Sequence, residues 1–405
     1  MQRITVGVDA GKRAHQVAAY DPAAGTVVGQ GSFPVSRVGF EQLALFLHYH
    51  ASDQAEVLVG VEATGHYHVP LVEFLLERGY AVVLVNPYQA AQFRRSQGAK
   101  AKTDRIDARA LARFVAVSGL RAVSPTDARL VGLRELTRFR ADLVGQRTTA
   151  LNTLQAALDL AFPELLTIFK QPSSRTVLAL LEAFPTAAAV ASASEEEVAG
   201  CLRQAGAGRP RRGQLATLLE AARTSIAAKR LDVALSVKAR ALVRQIQVLE
   251  HEITELEEAI VAAFAALGHA PSHFPVGSAV ALAALVAEAG DPSRYRSAKE
   301  FVAHFGWCPA DVQSGAYKAT HPPLSKAGNR YARRTIWLLA IVAVRHNVAY
   351  RTYFDQRIAA GKNKMNTLVA IGRKLLTTIF AILRTGQPYD PAYQHPTALP
   401  LSAVA

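Results

Sequence analysis

Apolar positions in the first 120 residues follow two rhythms. Ile4, Val6 and Val8 alternate with polar or small residues, which predicts a strand over 3–9. Gln16–Tyr20 and Thr26–Phe33 read as two further strands, joined by a turn containing Asp21, Pro22 and Gly25. Val38–His48 has helical spacing, and residues 56–61 form the apolar run of a buried strand. His68–Arg78 is helical and meets Gly79, a suitable C-cap. Ala81–Val85 is another buried strand, closed by Asn86-Pro87, and Tyr88–Ser96 and Asp104–Val117 are helical. The order β-β-β-α-β-α-β-α predicts an α/β domain, a mixed sheet with helices on its faces.

Beyond residue 126 the rhythm is helical throughout. Residues 127–162 form a long helix ended by Pro163, and 171–228 an Ala-rich set of short helices with a basic loop at Arg209, Arg211 and Arg212. Leu235, Leu242, Leu249 and Leu256 then recur every seven residues, with Ala239, Ile246, Ile253 and Ile260 between them. This heptad predicts a coiled coil whose a/d choice favours two parallel strands. The 127–162 helix offers an antiparallel alternative within the chain. Phe274–Ser278 introduces an apolar helix, either as a plain cap or as a phosphate-binding hairpin loop. A loop-rich stretch, Gly306–Asn329, precedes basic helices. The predicted organisation is an α/β domain (1–125), a helical coiled-coil linker or dimerisation region (126–267), a helical C-terminal domain (268–390) and a tail (391–405).

Composition narrows the class. The 405 residues are 50% hydrophobic and 19% charged, which is globular. The two cysteines, Cys201 and Cys308, form no Cys-x-x-Cys pair, against a zinc finger or disulfide scaffold. Continuous apolar runs fall short of about 18 residues and no signal peptide precedes the first strand, so the expectation is a cytoplasmic protein without a membrane span. The net charge of +14 is clustered. Residues 326–374 hold eleven Lys/Arg against Asp355 alone, and 94–113 hold seven against Asp104 and Asp107. Two such clusters point to a polyanion.

The chemistry lies beside the first cluster. Asp9 ends the first strand and Glu62 ends a central one, so both carboxylates reach the sheet edge where open α/β folds bind ligands. Asp104 and Asp107 share a helix face at i, i+3. Four such acids do not all stay ionised together without a cation. Oxygen-only ligands suit Mg²⁺ or Mn²⁺, which serve phosphoryl transfer. The plain alternative pairs Asp104 and Asp107 with Lys102, Arg105 or Arg109. Arg94, Arg95, Lys100, Lys102, Arg105 and Arg109 together can track several phosphates of a strand. His66 and His68 lack a cysteine partner and read as packing or DNA-contact residues rather than zinc ligands.

Val-Gly-Val-Asp9-Ala-Gly-Lys, Gly-Val-Glu62-Ala-Thr-Gly, Val-Asn-Pro87 and Lys-Thr-Asp104-Arg-Ile-Asp107-Ala resemble the acidic tetrad of the DEDD transposases of bacterial insertion sequences, family one-ten. Phe-Pro-Val-Gly-Ser-Ala, Glu-Ala-Gly-Asp-Pro-Ser-Arg-Tyr, Phe-Gly-Trp-Cys-Pro309, Gln-Ser314-Gly315 and Leu-Ser-Lys-Ala-Gly-Asn-Arg330 are similar to that family's second domain, in order. The resemblance covers about 1–120 and 270–385. It implies a ribonuclease-H-like domain akin to RuvC resolvases, and a nucleoid-associated recombinase that cuts and rejoins DNA. It also implies guidance by a bridging non-coding RNA, and assembly as dimers and tetramers. By the same resemblance Asp9, Glu62, Asp104 and Asp107 hold Mg²⁺, and Ser314 forms a covalent phosphoserine link to DNA. Gly315 allows close backbone approach to a phosphate. Lys326, Arg330, Arg333 and Arg334 are the nucleic-acid contacts of the second domain, and Ser325 a helix cap or phosphate contact. Three rival readings fit the residues less well. An actin-like kinase needs a second Asp-x-Gly loop, and Asp9 alone has that pattern. A junction nuclease leaves the second domain unexplained. A non-catalytic nucleic-acid-binding protein leaves the tetrad unexplained.

Overall fold

The computed structural model describes residues 3–51, 53–63, 66–97, 104–207, 213–308, 313–314, 317–318, 324 and 330–391, with backbone alone at 104–105, 125–128, 206–207, 313–314 and 317–318. Contacts divide the chain into two compact units, Met1–Arg129 and Leu130–Ala405.

The first unit is a mixed five-stranded sheet with flanking helices. Strands β1 (Ile4–Ala10), β2 (Ala14–Asp21), β3 (Thr26–Pro34), β4 (Val57–Glu62) and β5 (Ala81–Val85) lie in the order β3-β2-β1-β4-β5. The pairs β1–β2 and β2–β3 are antiparallel, while β1–β4 and β4–β5 are parallel. Helices α1 (Arg37–His50), α2 (Val69–Glu77), α3 (Pro87–Ser96) and α4 (Asp104–Ser118) complete it. Alternation decides which strand residues meet which helices. Val6, Val8, Val17, Val59 and Val61 share a core with Phe40, Leu43 and Leu47 of α1 and Leu71 and Leu75 of α2. Val83 and Val85, on the opposite face, meet Leu111 and Val115 of α4.

Two glycines set how closely α4 lies on that face. A Cβ at Gly7 would stand 2.3 Å from the Ala108 carbonyl oxygen and 2.4 Å from the Ala112 nitrogen. A Cβ at Gly60 would stand 2.2 Å from Val115 Cγ2. The missing side chain at Gly7 admits the helix backbone, and the one at Gly60 makes room for the Val115 side chain. Thr5 Oγ1 then donates to the Ala112 carbonyl at 3.0 Å, pinning the same stretch of helix to β1.

The second unit is helical. Helix α5 (Pro125–Ala161) leads into the short helices α6 (Leu165–Ile168), α7 (Arg175–Ala183), α8 (Ala187–Ser192), α9 (Glu195–Leu202) and α10 (Gln214–Arg223), then α11 (Asp232–Ala266). The heptad seam of α11 is covered from within the chain. Its residues Leu249 and Ile253 pack on Leu143, and Leu235 on Ala157 and Ala161. Ala239, Val243 and Ile246 share a core with Ala150, Leu154 and Leu158. Arg140 bonds Glu257, and Arg147 faces Glu250 at 3.9 Å. Low numbers on α5 meet high numbers on α11, so the two run antiparallel, in place of the parallel pairing favoured by the a/d residues. Val243 is buried where the strict heptad predicts Leu242, which is half-buried. A 3.6-residue helix drifts from a seven-residue repeat, and the seam follows the partner actually present.

A separate core joins α12 (Ala279–Ala289), α13 (Ala298–His304), α14 (Arg330–His346), α15 (Val348–Ala359) and α16 (Lys364–Thr385). Ser278 caps α12 by accepting from the Ala281 N–H at 3.3 Å, the plain-cap alternative for this segment. Helix α16 is long and apolar enough to cross a membrane by length and composition. Here it is a core helix, with Ile371, Leu375, Leu376 and Ile379 buried. Strands β6 (Gln313–Ser314) and β7 (Tyr317–Lys318) form a small antiparallel hairpin within the stretch expected to be loop-rich.

Candidate active site

Parallel register brings the first two carboxylates together. Gly7 pairs with Gly60 and Val8 with Val61, so Asp9 and Glu62 come next, side by side on adjacent strands. Both carry the parity of Gly7 and Gly60 and therefore share the face covered by α4. The helix runs with its N-terminal turns toward them, since Ala112 lies over Thr5 and Ala108 over Gly7. Asp104 is the first residue of α4, and Asp107 follows one turn later. All four acids of the expected tetrad thus belong to one edge of one face. The side chain of Asp104 lies outside the described residues.

Asp107 is the best-defined member. Its side chain is 8% exposed, and Arg94 Nη1 of α3 stands 2.6 Å from Oδ1. That contact is an ion pair without hydrogen-bond alignment, and Oδ1 has no hydrogen-bond partner. A buried carboxylate oxygen costs free energy unless a cation serves it, and here the Arg94 guanidinium does so. Its partner is not one of the neighbours that sequence spacing offers, but an arginine from another helix. Among the described residues no three acidic, histidine or cysteine side chains stand within metal-holding distance of one another. The donor chemistry, carboxylate oxygens alone, fits a hard divalent ion.

The expected basic contacts divide. Arg94 turns inward to Asp107 and is half-buried, whereas Arg95 is exposed. Arg109 is exposed and donates to Gln30 Oε1 at 2.8 Å. Lys100 and Lys102 lie outside the described residues, as does the side chain of Arg105. His66 lies against Tyr67, with ring centroids 4.4 Å apart and planes tilted by 44°, and burial together with His66 lowers the His68 pKa.

In the second unit Ser314 is the last residue of β6, opposite Tyr317; its side chain lies outside the described residues. Gly315, Ser325, Lys326 and the loop arginines 209, 211 and 212 also lie outside them. Arg330 and Arg334 are exposed on α14, and Arg333 is half-buried. Arg330 donates to Tyr331 Oη at 2.9 Å, and Tyr331 donates to Asp142 Oδ1 at 3.0 Å. Behind this pair lies a cluster that sequence reasoning missed. Glu288 is buried and takes both oxygens to Arg138, at 2.6 Å from Nε and 2.9 Å from Nη2. Arg134 donates to the Ala287 carbonyl at 2.9 Å, and Tyr295 to that of Ala289 at 2.6 Å. The hydrogen bond to Glu288 raises the Arg138 pKa. A glutamate near the end of an apolar helix was the available signal.

Comparison with known proteins gives the family. A DEDD-type IS110 transposase model matches residues 6–163, and a model described as transposase of the IS116/IS110/IS902 family matches 272–355. The uncharacterized 42 kDa protein of insertion element IS900 from Mycobacterium paratuberculosis is 30% identical, over 96% of this chain and 98% of that protein. The chain belongs to the IS116/IS110/IS902 transposase family. It is therefore a DNA transposase, an enzyme of DNA recombination. The 44.8 kDa protein of IS116 from Streptomyces clavuligerus is 27% identical over 96% of this transposase and 97% of its own length. A pilin gene-inverting protein of Moraxella bovis is 22% identical over 89% of the chain and 90% of its own length. Thermus thermophilus RuvC in complex with a Holliday junction substrate aligns over 30% of this chain and 99% of its own, at 14% identity and a TM-score of 0.23.

Proposed function

We propose that this transposase cuts and rejoins DNA with two sets of residues: the carboxylates Asp9, Glu62, Asp104 and Asp107, and the nucleophile Ser314. The observation that carries the reading is the shared sheet edge of Asp9, Glu62 and the first turns of α4. The four carboxylates are the residues that would hold Mg²⁺ or Mn²⁺. When bound, such an ion activates an attacking oxygen and stabilises a leaving one. Arg94, paired to Asp107, supplies positive charge beside the same edge. Ser314 takes the covalent step. Its oxygen bonds to phosphorus, the bond to the leaving sugar oxygen breaks, and the proton lost by the hydroxyl is matched by one gained at that leaving oxygen. Resealing reverses the exchange with a second sugar hydroxyl.

The basic stretches 94–113 and 326–374 support a polyanionic partner for each of the two sets of residues. The reading assigns them DNA and a bridging non-coding RNA, in a homodimer that assembles to a tetramer. Asp9→Asn and Asp104→Asn are expected to keep nucleic-acid binding and lose strand cleavage in Mg²⁺. Normal cleavage by either variant would remove the carboxylate assignment. Sequencing of RNA that co-purifies with the protein tests the guide. The expected result is one structured species encoded beside the gene, and bulk cellular RNA would count against it.

A further inference from the structure

Helix α3 turns one face outward at the carboxylate edge, and of that face only Arg95 has been given a role, as a phosphate contact. It begins directly after β5, whose last residue, Val85, pairs with Glu62. Asn86 caps the helix by accepting from the Tyr88 N–H at 2.8 Å, and Pro87 opens its first turn. Two contacts fix the rotation of the helix. Phe93 packs against Phe114 of α4, ring centroids 5.2 Å apart, and Arg94 reaches Asp107. Tyr88, Gln92 and Arg95, at i, i+4 and i+7, are thereby left on the open side, all exposed. Tyr88 is 70% exposed, yet its hydroxyl accepts from Gln92 Nε2 at 2.6 Å, which holds the ring in place. Tyr88 follows Val85 by three positions, so its Cα lies within about 11 Å of that strand end.

We infer that Tyr88, Gln92 and Arg95 form a platform for one unpaired nucleotide of the DNA strand handled at the carboxylate edge. An exposed aromatic ring held by a neighbour is a surface on which any base stacks, and an adjacent arginine meets its phosphate. Gln92 is a positioning residue for the ring. The inference rests on the proposal that this edge acts on DNA, and it adds that one base there leaves the duplex stack.

The test uses the full chain and single-stranded oligonucleotides with 2-aminopurine at successive positions, read by fluorescence and by affinity at two salt concentrations. The wild type is expected to quench the probe at one position. Tyr88→Ala should lose that quench and bind about 5- to 150-fold more weakly, with an unchanged salt slope. Tyr88→Phe should keep the quench. Arg95→Gln should weaken binding and reduce the slope of log affinity on log salt by about 0.7. The melting temperature of each variant checks folding, which an exposed site should leave unaltered. Quenching and affinity unchanged in Tyr88→Ala, with cleavage intact, would overturn the platform alone. Equal losses in Tyr88→Phe and Tyr88→Ala would overturn base stacking. Absence of DNA binding by the wild type would remove both the platform and the function it rests on.

Discussion

Gly7→Ala tests whether the close seat of α4 holds the active edge together. The added methyl would stand 2.3 Å from the Ala108 carbonyl oxygen and 2.4 Å from the Ala112 nitrogen, against 3.4 Å for ordinary contact. Both obstacles are helix backbone, which does not swing aside as a side chain would. The helix must therefore lift by about 1 Å, carrying Asp104 and Asp107 with it. Overpacking of this kind costs about 1–3 kcal/mol. A misplacement of about 1 Å at reacting groups costs on the order of 100-fold in rate. The expected result is a melting temperature lower by several degrees and single-turnover cleavage slower by about two orders of magnitude. Gly132→Ala and Gly145→Ala in α5, where a Cβ meets nothing within 4 Å, are the controls. They should instead stabilise by roughly 0.5–1 kcal/mol. A Gly7→Ala protein that melts and cleaves like its parent would refute the reasoning.

Three further outcomes follow from contacts elsewhere. Gly372→Ala should destabilise by about 1–3 kcal/mol, measured by denaturant titration, although Gly→Ala in a helix usually stabilises. Its Cβ would stand 2.7 Å from the Trp307 indole, which is held by a 2.8 Å bond from Nε1 to the Val369 carbonyl. Arg138→Leu leaves Glu288 buried without its bidentate partner. The loss should be about 2–3 kcal/mol, below the range for a fully buried pair because Arg138 is 38% exposed. His15 is fully buried against Phe40, and burial lowers its pKa below 6.5. The unfolded chain then takes up the proton first as pH falls, so the neutral ring's contribution is complete above pH 6.5 and fades below it. His15→Leu should flatten the dependence of melting temperature on pH below 6.5, and an unaltered dependence would refute this.

Much of the first unit could be read from residue order, because strand alternation and the carboxylates at strand ends obey local rules. Asp9 and Glu62 end their strands as the pattern requires, and parallel register then makes them neighbours. The partners of buried groups were not legible in the same way. Asp107 meets Arg94 across two helices rather than a residue one turn away, because α3 and α4 pack through Phe93 and Phe114. The heptad of α11 announced a seam and left two occupants open, a parallel second strand or the 127–162 helix; α5 is the one that fills it, antiparallel. Gly7 and Gly60 looked like ordinary small strand residues. Their role exists only once a helix crosses them. Glu288 was hidden for a similar reason: Arg138, its partner, lies 150 positions away in the chain.

Trapping the proposed covalent link between Ser314 and DNA is the most direct test of the mechanism. Full-length protein, Mg²⁺ and a labelled DNA carrying the ends of the element would be quenched in denaturant. Any adduct would then be digested and mapped by mass spectrometry. The prediction is a phosphodiester-linked nucleotide on the peptide containing Ser314, absent from Ser314→Ala and from Asp107→Asn. An adduct on any other residue, or one that persists in Ser314→Ala, would contradict it.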